Sequence, residues 1–166
     1  MDALDSVILR ELQRNCRLPI SKLAKILGKP RTTISERISR LEREGVIRGY
    51  RAIVDPSKLG YRFLAFVMLK VRRGITFEGM SNQEALAQKV VKETRDAPDL
   101  PYVEEAHIVT GAYDIVLKVW ARRWEELTNF LIRYLASLGD VVSSETFLVL
   151  ETISSEEGFP VKPKPE

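Results

Sequence analysis

Residues 63–71 read FLAFVMLKV, and this stretch constrains the fold more than any other. It is nine residues long, almost wholly apolar, and rich in aromatic and branched side chains. Such a run is a strand buried on both faces. Leu64, Phe66 and Met68 alternate with Phe63, Ala65, Val67 and Leu69, so each face of the strand is apolar. The carboxy-terminal stretch SSETFLVLETI repeats the pattern, with Phe147 and Val149 alternating with Leu148 and Leu150. A sheet holding both strands needs a cover on each side.

The segments around this strand supply one cover. Ser81 to Asp96 has helical spacing, with Leu86, Val90 and Thr94 on one side, and Asp96, Pro98 and Pro101 break it. YVEEAHIVTG and YDIVLKVWA are two strands around a tight turn at Gly111-Ala112. Trp124 to Leu138 is a second helix, with Leu127, Leu131, Tyr134, Leu135 and Leu138 on one side. The order strand–helix–strand–strand–helix–strand is the ferredoxin-like βαββαβ unit. Right-handed crossovers put both helices on one face of its sheet. The other face is apolar too, and an exposed apolar face of that size is an interface. A second copy packed sheet to sheet gives a twofold dimer.

The first sixty residues differ in charge. They hold 13 Lys+Arg and 7 Asp+Glu, a net of +6, whereas residues 61–166 carry a net of −3. A basic module on an acidic remainder suits a polyanion partner at one end only. Leu4, Val7, Ile8 and Leu12 have helical spacing, with Asp2 and Asp5 near the amino end, where the helix dipole favours them. A second helix starts near Ser21, an expected N-cap, and stops at Gly28. Pro30 suits the first turn of a third, KPRTTISERISRLEREGVI, which Gly45 ends. Two short helices joined through a glycine, the second basic, form a helix-turn-helix.

On the third helix Ile34, Ile38 and Leu41 share the face that packs on the other two. Thr32, Glu36, Ser39, Arg40 and Arg43 lie broadly opposite. The amino-terminal residues of such a helix reach base edges, which selects Arg31, Thr32, Thr33, Ser35 and Glu36. Arg37, Arg40 and Arg43 are expected phosphate contacts. The competing reading is a solvated face held by pairs such as Glu36–Arg40. In a twofold dimer, two such helices would read half-sites about 34 Å apart, or a multiple of it.

Three blocks together resemble the Lrp/AsnC family of bacterial and archaeal transcription regulators: LDSVILRELQRNCR, then ISKLAKILGKPRTTISERISRLEREGVIRGYRAIVDPSKLG, then VTGAYDIVLKV. The resemblance runs from Met1 to about Ile153. It implies dimers that assemble further, commonly to octamers, on double-stranded DNA, with an amino acid or similar small molecule as effector at a subunit interface. Carried onto this sequence, the effector residues are Thr110, Gly111, Ala112, Tyr113 and Asp114, with Ser144 and Thr146 as weaker candidates on the last strand. Gly111 allows close backbone approach, and Asp114 can hold an ammonium. Asp114 also has a structural reading as a turn cap, and Tyr113 as a core aromatic. The chain departs from the family at Glu36, where many relatives are basic, and at Ala112, where a charged residue is common. GITFEGMSNQE and TRDAPDLPY lengthen the first crossover.

The domain reading is therefore 1–48 helix-turn-helix, 49–62 strand and linker (GVIRGYRAIV the strand, DPSKLGY the connector), 63–153 ferredoxin-like sensing and oligomerisation domain, and 154–166 a flexible tail. No run of ~18 apolar residues crosses a membrane, and MDALDSVILRELQ has no basic region of a secretion signal. Cys16 is the only cysteine, so no internal disulfide forms, which fits a cytoplasmic location. His107 is the only histidine and is expected to be structural or at the surface. One Cys and one His make no zinc site of the usual spacing. GxGxxG and GxxxxGK[ST] are absent, so no cofactor is expected. Trp120 and Trp124 are expected to pack in the core or an interface. The sequence offers no catalytic constellation, and the reading is a regulator rather than an enzyme. An architectural DNA-binding protein of little sequence specificity and an amino-acid-sensing enzyme subunit are the alternatives.

Overall fold

The computed structural model describes residues 1–76, 79–153 and 160–161. It divides into two units, one built on Met1–Ile53 and one on Val54–Thr152. The expected tail, apart from 160–161, lies outside the described residues.

The first unit holds helices α1 (Ala3–Arg14), α2 (Ile20–Leu27) and α3 (Arg31–Arg43). Asp2 caps α1 in a capping box. Its carboxylate accepts the Asp5 N–H and the Asp5 carboxylate accepts the Asp2 N–H, both at 2.9 Å, which satisfies two donors that the helix leaves unpaired. The expected N-cap of α2, Ser21, lies inside the first turn; Pro19 takes the cap, and its carbonyl accepts the N–H groups of Lys22 and Leu23. Pro30 likewise precedes α3 rather than entering it. In both cases the ring fixes φ near −60° at an extended residue, which turns the chain into the helix with no side-chain cap. Gly28, at φ 60°, ends α2 in the left-handed conformation, which glycine adopts without a Cβ clash. Ile8, Leu12, Leu23, Ile34, Ile38 and Leu41 close the core between the helices.

The expected strand over GVIRGYRAIV does not form. The segment carries no strand pairing among the described residues, and Tyr50, Ile53 and Val54 are each at least half exposed. A strand is stable only as part of a ladder, and β-propensity supplies no partner. A short 3₁₀ turn, Pro56–Leu59, follows, capped by Asp55.

The second unit is a four-stranded antiparallel sheet in the order β2-β3-β1-β4, where β1 is Phe63–Val71, β2 Tyr102–Ile108, β3 Ile115–Ala121 and β4 Val141–Leu148. Helix α4, Asn82–Arg95, is capped by the Ser81 hydroxyl, which accepts the Glu84 N–H. Helix α5, Trp124–Thr128, continues as a π-helical stretch, Asn129–Tyr134, and a closing turn, Leu135–Ser137. Phe130, outside the expected apolar stripe, is fully buried there and stacks on Tyr134 at 5.5 Å. This is the ferredoxin-like arrangement that the element order predicts.

Register decides the two faces. Ala65, Val67 and Leu69 pair with Val119, Leu117 and Ile115, and all six are buried in one core with Leu86, Val90, Leu127, Phe130 and Leu135. Leu64, Phe66 and Met68 pair with Trp120, Lys118 and Val116 on the other face, and Phe66 lies opposite Phe147 of β4. Phe66 and Phe147 are both exposed. Helices α4 and α5 pack on the Ala65 side, and Leu64, Phe66 and Met68 take no part in that core.

Candidate nucleic-acid interface and effector loop

Helix α3 presents Arg31, Thr32, Glu36 and Arg43 to solvent; Thr33 and Ser35 are half-buried, and Ile34, Ile38 and Leu41 anchor the opposite face. The helix therefore stands on an apolar base with its amino-terminal polar residues free to meet a groove.

Arg37 and Arg40 also bond within the first unit. Arg40 Nη2 lies 2.6 Å from Asp5 Oδ2, and Arg37 Nη1 lies 3.1 Å from Asp5 Oδ1 while also bonding Asp2. Asp5 is fully buried. Both guanidiniums thus clasp the start of α1, and these ion pairs stand beside their expected role as phosphate contacts. The Asp5 N–H, with the Arg37 guanidinium beside it, pulls the Asp2 carboxyl down to about 2. Asp2 and then Asp5 raise the Arg37 guanidinium. The signal was present in the sequence as two carboxylates three residues apart on α1 and two arginines three residues apart on α3. The alternative Glu36–Arg40 pair is not made; Arg40 instead lies 3.7 Å from Glu44 through Nε.

The loop from 109 to 114 joins β2 and β3 and is closed by the Val109 N–H donating to the Asp114 carbonyl at 2.9 Å. Gly111 sits at φ 122°, a conformation other residues rarely adopt. Thr110 and Ala112 are exposed. Asp114 is buried, and its carboxylate accepts the Val71 N–H at 3.0 Å and meets Lys70 Nζ at 3.2 Å. The Val71 N–H, then Lys70 and Arg73, hold its pKa below the usual carboxylate value. Its backbone N–H donates to Leu69. Asp114 thus ties the loop to the end of β1 through the Val71 N–H and Lys70, a structural role that stands beside its expected ammonium contact.

Tyr113 is half-buried, and its hydroxyl donates to the Glu145 carboxylate, which raises the tyrosine pKa. Ser144 and Thr146 pair with Leu69 and Val67 in β1, on the helix-covered side of β4, while Glu145 pairs with Met68 on the open side. The structure therefore brings Tyr113 to Glu145 and not to Ser144 or Thr146. Sequence reasoning missed Glu145, although the period-2 alternation of a strand identifies it.

Other sequence candidates resolve simply. His107 is exposed with Nε2 3.0 Å from Glu105. Trp120 Nε1 donates to Glu104 at 2.7 Å, and Trp124 packs edge-on against Phe63. Cys16 is exposed and free. Among the described residues no three His, Cys, Asp or Glu side chains cluster to hold a metal, and no helix is long and apolar enough to cross a membrane.

Comparison with known proteins agrees with this geometry. Residues 1–48 match a winged helix-turn-helix DNA-binding model, and residues 64–159 match the Lrp/AsnC ligand binding domain. The chain is 36% identical over 162 residues to the HTH-type transcriptional regulator FL11 of Pyrococcus furiosus, covering 98% of this chain and 97% of that one. It is 33% identical over 153 residues to the leucine-responsive regulatory protein of Rhizobium meliloti, 92% and 91% covered. Escherichia coli AsnC superposes with a TM-score of 0.74 at 28% identity, covering 95% of this chain and 97% of that one. A Neisseria meningitidis transcriptional regulator in complex with L-Met shares the fold, with a TM-score of 0.79 at 22% identity and 96% of each chain covered. The helix-turn-helix, the sheet order and both matches place this chain in the Lrp/AsnC family of transcription regulators.

Proposed function

We propose that this protein is a sequence-specific DNA-binding transcription regulator, dimeric or higher, whose DNA affinity is tuned by an amino acid or a related small molecule. The observation that carries this reading is α3. Its apolar face is anchored by Ile34, Ile38 and Leu41, while Arg31, Thr32, Glu36 and Arg43 are exposed to solvent. Arg31 suits guanine and Glu36 suits cytosine N4; Thr33 and Ser35 stand beside them, and Arg43 suits phosphate.

The open sheet face, with Leu64, Phe66, Met68 and Phe147, is proposed as the surface that a second copy covers. Effector control would act by linkage, the effector shifting the population toward the assembly it binds better. The neighbour solved with L-Met supports an amino acid as the class. For the 109–114 loop, the groups open to a ligand are Thr110, Gly111, Ala112 and the Tyr113–Glu145 pair, while Asp114 is buried. We read the protein as a cytoplasmic regulator rather than an enzyme, in line with the relatives.

A gel-shift titration tests this reading, using the upstream region of its own gene and scrambled DNA at two salt concentrations, with and without pooled amino acids. The expected result is a preference of ~10³ or more for the upstream DNA, shifted by the pool. Equal, steeply salt-dependent binding to both DNAs would mean backbone contacts alone and would replace this reading with an architectural one.

A further inference from the structure

The TRDAPDLPY connector builds a cavity of about 200 Å³ at the end of β2 remote from the 109–114 loop. Tyr61, just before β1, and Tyr102, the first residue of β2, form an aromatic wall with ring centroids 6.4 Å apart. Trp120 backs Tyr61 edge-on at 6.5 Å. The Arg122 guanidinium lies 4.8 Å over the Tyr61 ring, a stacking that fixes its plane. Arg95 and Asp96, at the end of α4, line the same cavity, with Leu100 as an apolar flank.

The charges at this cavity are unevenly used. Glu126 is buried, accepts the Arg122 backbone N–H at 2.9 Å, and takes Arg123 Nε at 3.1 Å. Arg123 also reaches Asp99 at 3.9 Å. Among the described residues, the side chains of Arg95 and Arg122 pair with no carboxylate, and Asp96 pairs with no cation. Two free guanidiniums and one free carboxylate therefore border one aromatic-walled space.

We propose that this cavity is a second small-molecule site that takes a zwitterionic α-amino acid. A guanidinium receives a carboxylate through paired hydrogen bonds, so Arg122, with Arg95 lining the same cavity, holds the carboxylate end. Asp96 takes the ammonium. The side chain of the ligand lies along Tyr61, Tyr102 and Leu100. The volume falls below the ~300–1,000 Å³ of drug-sized sites, which restricts the occupant to a small metabolite. The cavity and the 109–114 loop stand at opposite ends of seven-residue strands, a separation of ~20 Å. A ligand here touches none of the loop residues, and the proposal stands independently of DNA binding.

Isothermal titration calorimetry of the full-length protein tests it, using each of the twenty L-amino acids singly, with 3-phenylpropionate as a carboxylate-only probe and phenethylamine as an amine-only probe. Circular dichroism of each variant checks that the fold is retained. At least one amino acid is expected to bind, with affinity reduced about tenfold or more by Arg122→Ala and by Asp96→Asn, the loss of one charge-assisted bond. Lys89→Ala, on α4 outside both the cavity and the loop, is expected to leave that binding unchanged, and the two probes are expected to bind more weakly than the amino acid. Arg122→Lys keeps the charge without the paired donors and is expected to fall between. Absence of any binding at millimolar concentration would overturn the proposal. So would binding that survives both cavity variants and is lost in Gly111→Ala, which would place the ligand in the loop. Equal binding of 3-phenylpropionate would overturn the assignment of Asp96 to the ammonium.

Discussion

Replacing Asp5 with alanine tests the clasp between α1 and α3. The carboxylate is fully buried and accepts three hydrogen bonds, from the Asp2 N–H at 2.9 Å, Arg37 Nη1 at 3.1 Å and Arg40 Nη2 at 2.6 Å. Removing one partner of a fully buried ion pair costs ~3–5 kcal/mol, because the other charge is stranded. Here the Arg37 and Arg40 side chains keep 29% and 38% of their surface exposed, so water can rehydrate the stranded guanidiniums. The expected cost of Asp5→Ala therefore lies lower, at about 2–3 kcal/mol, near that of the charge-assisted bonds lost. For a unit of this size that corresponds to a drop of about 10 °C or more in melting temperature. Urea and thermal unfolding followed by circular dichroism measure it. Glu11→Ala, which breaks the exposed Glu11–Arg14 pair, is the control and should cost under ~1 kcal/mol. Asp5→Asn should fall between, since the amide oxygen can still accept the Asp2 N–H while the charge is gone. A loss below ~1 kcal/mol for Asp5→Ala would refute the clasp. It would mean that both arginines are solvated and free to meet phosphates.

Three further outcomes follow from the same geometry. On specific DNA, Arg43→Ala should reduce the slope of log K against log salt by about 1, the signature of one lost phosphate contact, whereas Arg40→Ala should weaken binding and leave the slope unchanged. A drop of one in the slope for Arg40→Ala would return that residue to the phosphates. Asp2 is held at about 2 against an ordinary value of 3.8. Its contribution to stability is therefore present above pH ~4 and lost as pH falls toward ~2; melting scans of wild type and Asp2→Asn should converge over that window and separate above it. Asp114→Ala strands the buried Val71 N–H, an unmade bond that costs ~1–3 kcal/mol. It should lower the urea midpoint of the sheet unit, and an unchanged midpoint would show that the carboxylate is not a strand-to-strand tie.

The sequence was legible where the chain carries its own period. FLAFVMLKV declared a strand with two apolar faces, of which Ala65, Val67 and Leu69 are buried while Phe66 is exposed, and Phe147 and Leu148 end its neighbour β4, short of the expected Val149 and Leu150. The six-element order then left one sheet topology to expect, and β2-β3-β1-β4 is that topology. Ile34, Ile38 and Leu41 declared the packed face of α3, and all three are buried. Local sequence failed where a partner decides the state. GVIRGYRAIV has the composition of a strand, but no ladder exists for it among the described residues. Ser21 is a better cap than Pro19 by side chain alone, yet the fixed φ of proline sets the entry angle into α2.

At the candidate sites the division is sharper. The sequence by itself determined that a basic helix-turn-helix precedes an acidic βαββαβ unit, because charge count and hydrophobic period are properties of the chain and survive any packing. It also brought Arg31, Thr32, Thr33, Ser35 and Glu36 to the start of one helix, since their spacing alone fixes that placement. Which charged groups are free was decided only by the tertiary structure. Arg37 and Arg40 are held by Asp5 and Arg43 is not, and Asp114 is buried against the Val71 N–H and Lys70 whereas Asp96 is exposed. Coulomb and hydrogen-bond energies depend on distances of a few ångströms between residues tens of positions apart, and only the folded chain sets those distances.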